Sequence, residues 1–431
     1  MRAMSPPSQS QAASAPGTTT PPFDVILRQC RLQDGTLTDL GCRDGCIAEL
    51  GSLAGSPTHR VVECGGRMIT PGLVESHIHL DKVLLSERAP GVEGTLAEAI
   101  RVTGEAKRHF TVQDIRARAC AVLDMAIRHG TTAMRSHVEV DPIVGLKGLE
   151  ALVPLKREYA PAMDLQLCAF AQEGILQAPG TEALLMEALR GGADLVGGCP
   201  YNDTDPYAQI DIVFRLAKEF DVDADFHVDF FDEPEHLHVR YIAEQTRRHG
   251  WQGRVAVGHL TELAALLPEE QDPIIAALRE AGIGVIVLPA TDMYLMGRRD
   301  VRNIRRGLAP IKRLLAAGVP VAAASNNVRN AFTPVGTAGL TLMGYLLTMG
   351  AHMGTRPDIL QALAMLTEYP ARILRLAEYG LRVGAQADLI LWNTERPEEI
   401  ITALASPHLV IKHGRVTMEH EYLVREPWRD G

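Results

Sequence analysis

The chain contains no Cys-x-x-Cys pair, and its seven cysteines (Cys30, Cys42, Cys46, Cys64, Cys120, Cys168 and Cys199) are odd in number and scattered. That pattern argues against a disulfide framework and against a thiolate zinc site. No apolar run reaches the length of about 18 residues that spans a bilayer. Basic residues form no stripe: Arg298-Arg299 and Arg305-Arg306 are short pairs, which read as a solvated loop or a small substrate clamp. With a net charge of −10, nothing points to nucleic acid or an anionic membrane as a partner. No Gly-x-Gly-x-x-Gly sits at a strand-to-helix turn, so a dinucleotide site is not expected. Residues 1–22 are rich in Ser, Pro, Ala and Thr and lack the apolar segment of a secretory signal, so they read as a disordered tail. A reduced, cytoplasmic location is the expectation.

What is present is globular. Of 431 residues, 46% are hydrophobic and 22% charged, enough for a large core. The length exceeds one ordinary domain, although an α/β barrel absorbs most of it. Short strand-like pieces broken by glycine occupy residues 23–28, 45–50 and 61–63. The same texture returns at 388–392, 410–411 and 414–416. The two β-rich ends therefore predict one small β-sandwich domain, split between residues 23–70 and 380–420.

Between them, short apolar runs alternate with helical patterns, the signature of βα units on a parallel sheet. Eight strand candidates cover residues 73–79, 132–140, 165–172, 195–199, 224–230, 254–260, 284–288 and 321–326. Helical stretches fall at 112–129, 181–189, 206–220, 234–249, 268–281 and 304–317. Eight such units predict an α/β fold, a (β/α)8 TIM-like barrel over residues 71–379, ahead of an open doubly wound sheet.

Catalysis in such a barrel sits where the strands end. The first candidate strand ends in His77-Ile78-His79. Side chains on a strand alternate faces, so the two imidazoles point the same way about 7 Å apart, suited to gripping one divalent cation. The second strand ends in Arg135-Ser136-His137-Val138-Glu139, the third in Gln172-Glu173, the fifth in His227-Val228-Asp229, the sixth in Gly258-His259 and the eighth in Ser325-Asn326-Asn327. Single histidines are commonly core or surface residues, but four strands ending in histidine form a pattern. We read His77, His79 and His227 as ligands of one cation whose bound water becomes acidic enough to react near neutral pH. His259 would then hydrogen-bond that water or the substrate, and His137 would face the substrate or support the ligands. His236 and His238 lie on a polar helix start and carry no expected role. Such a site points to a hydrolase.

These residues resemble the amidohydrolase superfamily, and within it the cytosine deaminase and N-isopropylammelide hydrolase branch. The likeness spans residues 23–418. It rests on Pro71-Gly72-Leu73-Val74-Glu75-Ser76-His77-Ile78-His79-Leu80-Asp81, on the 135–140 segment, on Ala169-Phe170-Ala171-Gln172-Glu173-Gly174-Ile175 and on residues 384–389. The resemblance implies one Zn2+ or Fe2+, held by the two strand-one histidines, the strand-five histidine and a strand-eight aspartate. It implies a proton-shuttling glutamate three residues after the strand-five histidine, and a strand-six histidine beside the water. It also implies a strand-three glutamine, here Gln172, against the heterocycle. A carboxylated lysine bridging two metals is not expected.

Two positions depart from that pattern. Asn326 stands where the family has its aspartate ligand, and Phe230 where it has the glutamate. An amide oxygen coordinates more weakly than a carboxylate and accepts no proton as a general base. Asp229, two residues beyond His227 and so on the same face of an extended strand, is a candidate substitute, with orienting a histidine as its alternative role. Asp292 after the seventh strand is another, with a turn or helix cap as its alternative. Lys82 reads as a substrate contact or a surface residue, and Asp81 as structural.

The leading expectation is a deaminase-type hydrolase of C–N bonds in a small nitrogen heterocycle, cytosine deaminase-like or releasing an N-alkylamine. The alternatives are a ring-opening hydrolase of a cyclic amide or lactam, and a catalytically silent barrel with a binding role. A homo-oligomer is expected.

Overall fold

The computed structural model describes residues 21–421, so nearly all of the expected N-terminal tail, like residues 422–431, lies outside the described residues. Eight parallel strands follow one another in order around a single sheet. They are β1 (Leu73–Ile78), β2 (Thr131–Glu139), β3 (Asp164–Ala171), β4 (Leu195–Gly198), β5 (Asp223–Val228), β6 (Val255–His259), β7 (Gly284–Val287) and β8 (Val321–Ala323). Helices run between them and cover the outside, which leaves the strands buried on both faces. That double burial is why the strands read as continuous apolar runs rather than alternating ones.

Closure between β8 and β1 is made at one place. Asn326 N–H donates to the His77 carbonyl at 2.8 Å, and His79 N–H donates to the Asn326 carbonyl at 3.0 Å. The barrel is therefore sealed by the backbone of the residues that also carry the candidate ligands.

The termini build two four-stranded sheets beside the barrel. One contains Val25–Arg31, Leu37–Arg43, Cys46–Gly51 and Val61–Glu63. The other contains Ile69–Pro71, Leu389–Trp392, Pro407–Lys412 and Arg415–Glu419. Leu27, Leu40 and Ile47 share one core with Leu389, Leu409 and Ile411, as the matching texture of the two ends implies. The fully buried Lys412 joins this unit to the barrel through Asp164 Oδ2 on β3 and bonds Asp388 Oδ2 within the unit, each 2.6 Å from its Nζ.

Three expected elements end differently. β5 stops at Val228, because Asp229 turns to φ +53°. β8 stops at Ala323, with Asn326 at φ +58°. The helix expected over 304–317 is confined to Ile311–Ala316, since Gly307 adopts φ +66° and Pro310 precedes the first turn. No helix among the described residues is long and apolar enough to cross a membrane.

Candidate metal centre at the barrel mouth

His77, His79 and His227 converge. The Nε2 of His227 lies 2.9 Å from that of His77 and 3.0 Å from that of His79, and all three rings are buried. The pleat of β1 delivers the first pair and β5 the third, as the spacing predicts. Gly258 on β6 makes room: a Cβ there would sit 3.1 Å from His77 Cε1.

Burial first, and then neighbouring imidazoles, hold all three histidines well below their usual pKa, with the Lys82 ammonium adding to the effect at His77 and His79, so they are neutral. A neutral imidazole has one N–H and one lone pair. One proton cannot serve three nitrogens at these separations, and a divalent cation accepts all three lone pairs. Asn326 Oδ1 is buried without a protein partner, as are the Nδ1 atoms of the three rings. The donor set fits a metal.

His137 belongs to the same cluster. Its ring centroid is 4.0 Å from that of His77, and one ring nitrogen from each of His77, His137 and His227 lies within 4.8 Å of the others. Across the mouth, His259 Nδ1 is 2.7 Å from Asp292 Oδ1, and its ring stacks on Phe230 with centroids 3.7 Å apart. Asp292 Oδ2 also accepts the Leu288 N–H at the start of helix Pro289–Leu295, so the helix-cap role is present beside the contact with His259.

Asp229 goes elsewhere. The positive φ swings its carboxylate off the His227 face, where Oδ1 and Oδ2 accept the N–H groups of His238 and Val239 at the start of helix Val239–Arg248. Burial, with Glu262 nearby, pushes its pKa up to about 8. The extended-strand premise behind its shuttle role therefore fails, because the strand has already ended. His236 bonds Glu262 through Nδ1 at 3.2 Å, and His238 caps the helix, both away from the imidazole cluster.

Lys82 is buried, not superficial. Its Nζ lies 2.7 Å from Glu139 Oε1, 3.5 Å from Gln172 Oε1 and 4.5 Å from the centre of the Phe332 ring. Asp81 Oδ2 accepts the Glu139 N–H, a structural bond. Glu139, Asp141 and Glu173 also converge, but Lys107 Nζ sits among them at 3.0, 2.7 and 2.7 Å. That trio is filled by an ammonium. Sequence reasoning assigned no role to Lys107, Arg135, Asp225 or Phe332. For Asp225 the signal was available, because it precedes His227 by two residues on the same strand face.

A model of the amidohydrolase family matches residues 60–418. The chain belongs to that family. This amidohydrolase is 28% identical over 411 residues to N-isopropylammelide isopropyl amidohydrolase from a Pseudomonas species, covering 93% of this chain and 99% of the relative. It is 28% identical over 423 residues to a pterin deaminase from Rhizobium rhizogenes, covering 96% and 95%. Among solved structures, 5-methylcytosine deaminase from Klebsiella pneumoniae liganded with 5-fluorocytosine superposes with a TM-score of 0.88. It is 29% identical over 94% of this amidohydrolase and 100% of that chain.

Proposed function

We propose that this amidohydrolase is a metal-dependent hydrolase of C–N bonds in a small nitrogen heterocycle, of deaminase type, working with one Zn2+ or Fe2+. The observation that carries this reading is the convergence of the His77, His79 and His227 Nε2 atoms beside the His259–Asp292 pair. Those three residues would hold the cation, with Asn326 offering its amide oxygen. A cation there supplies a water acidic enough to lose a proton near neutral pH.

The chain's own residues manage the proton. Asp292 fixes the His259 tautomer with the proton on Nδ1, which leaves Nε2 to accept one and to pass it to the departing nitrogen. Asp292 then faces the resulting imidazolium. Gln172 and Lys82 present an amide and an ammonium to the polar edge of the heterocycle. Phe230, Met296 and Phe332 form one apolar cluster that keeps bulk water from the mouth.

Phe230 favours a second reading, ring opening of a cyclic amide or lactam. A ring nitrogen stays tethered after cleavage and needs a proton from His259 alone, without a separate carboxylic acid. Product mass separates the two, since ring opening adds water and releases no amine.

Protein supplied with Zn2+ or Fe2+ is expected to bind about one ion per chain. It should release ammonia or an amine from an amino-substituted pyrimidine, triazine or pterin, and lose that activity on chelation. Failure to take up metal, with no turnover when metal is supplied, would overturn the proposal. Metal binding with heterocycle binding but no turnover would favour the silent-barrel alternative.

A further inference from the structure

His137 is buried with neither ring nitrogen in a hydrogen bond. Its Nε2 lies 3.3 Å from Asp225 Oδ1, and both of those atoms, like the ring's Nδ1, are buried without a hydrogen-bond partner. Asp225 Oδ2 accepts from Arg135 Nη1 at 2.8 Å. The guanidinium is braced in turn by Gln166 Oε1, 3.2 Å from Nε and 3.1 Å from Nη2. His137, Asp225 and Arg135 are all buried inside the barrel, directly beneath the imidazole cluster.

A buried nitrogen left without a partner is costly. A histidine packed among further imidazoles, with one nitrogen facing a carboxylate and the other without a partner, has the arrangement of a metal ligand backed by an outer carboxylate. The site has a matching deficit. Three neutral imidazoles and the neutral Asn326 amide would bring no negative charge to a divalent ion.

We propose that His137, backed by Asp225, is a fourth imidazole ligand of the cation, and that this pair stands in for the aspartate replaced by Asn326. Arg135 holds Asp225 in place through a buried ion pair, so a carboxylate is restored one residue removed from the metal. The inference rests on the reading of the mouth as a single-cation centre, and it assigns His137 to the metal in place of the substrate contact expected from sequence.

The test is X-ray absorption on the Zn2+-loaded wild-type protein, combined with Zn2+ dissociation constants for His137→Phe and Asp225→Asn. Four imidazole nitrogens are expected in the wild type and three in His137→Phe. Both variants should bind Zn2+ about 10–100-fold more weakly while remaining folded by circular dichroism. Three imidazoles in the wild type would overturn the inference even if a variant failed to fold. Unchanged Zn2+ affinity in folded variants would do the same, and either result leaves the single-cation reading intact. A wild-type protein that binds no Zn2+ sinks that reading itself.

Discussion

Asp292 Oδ1 lies 2.7 Å from His259 Nδ1, and the same carboxylate accepts the Leu288 N–H through Oδ2 at 3.1 Å. One side chain therefore builds the first turn of its helix and sets the tautomer of the candidate general base. His259 itself sits at φ +76°, a conformation that costs a non-glycine residue about 1–3 kcal/mol. The neighbouring Asp292 bond and the Phe230 stack keep it there. Asp292→Asn is expected to lower kcat by about 10²–10⁴-fold with metal content unchanged. Steady-state kinetics and metal analysis on the same preparation check this, and an unaltered kcat would remove His259 from the proton path.

The Asn326 side chain can be changed without breaking the seal of the barrel, because its closing hydrogen bonds are backbone bonds. Asp tolerates a positive φ about as well as Asn does. Asn326→Asp brings a formal negative charge to the three imidazoles. We expect metal affinity to rise by about tenfold or more, which is about 1.4 kcal/mol. Competition with a chelator of known affinity measures it. Weaker binding would mean that position 326 does not face the ion.

The eight strands and the histidines at their ends were legible because both follow from local rules. Apolar runs of strand length mark the sheet, and a period of two puts His77 and His79 on one face. The same rule misled at Asp229, since it was carried one residue past the end of the strand. Applied in the other direction it leads to Asp225, which does face the cluster. Lys82 and Lys107 were illegible for a different reason. Each is buried only because carboxylates far away in sequence, Glu139, Asp141 and Glu173, arrive from other strand ends, and no local pattern announces such a meeting. The first part of the helix expected over 304–317 was lost to Gly307 and Pro310, punctuation that periodicity alone overlooks.

Phe230 occupies the glutamate position of the family resemblance, yet it is part of the structure's apolar fabric, packed with Ala99, Leu295, Met296, Ala331 and Phe332. Phe230→Ala would open a cavity beside His259 and is expected to cost about 3–5 kcal/mol of stability. It should also lower kcat, because the stacked imidazole loses its wall. Urea denaturation and kinetics at saturating substrate test the two effects separately. A stable variant with normal kcat would show that the stack is dispensable.

Glu139 bridges two buried ammoniums, with Oε1 2.7 Å from Lys82 Nζ and Oε2 3.0 Å from Lys107 Nζ. Burial alone would push its pKa up, but the two charges hold it down to about 2, below the ordinary glutamate value near 4.5. A carboxylate depressed on folding adds stability that is complete above its unfolded pKa and disappears as pH falls toward the folded one. Glu139→Gln leaves both ammoniums short of a partner and is expected to cost about 3–5 kcal/mol at neutral pH. The gap between wild type and variant should stay constant above about pH 5, then narrow as the pH drops from about 4.5 toward 2. Denaturant titrations across that range measure it. A gap that did not change with pH would mean that Glu139 is not the acid-labile element of this mouth.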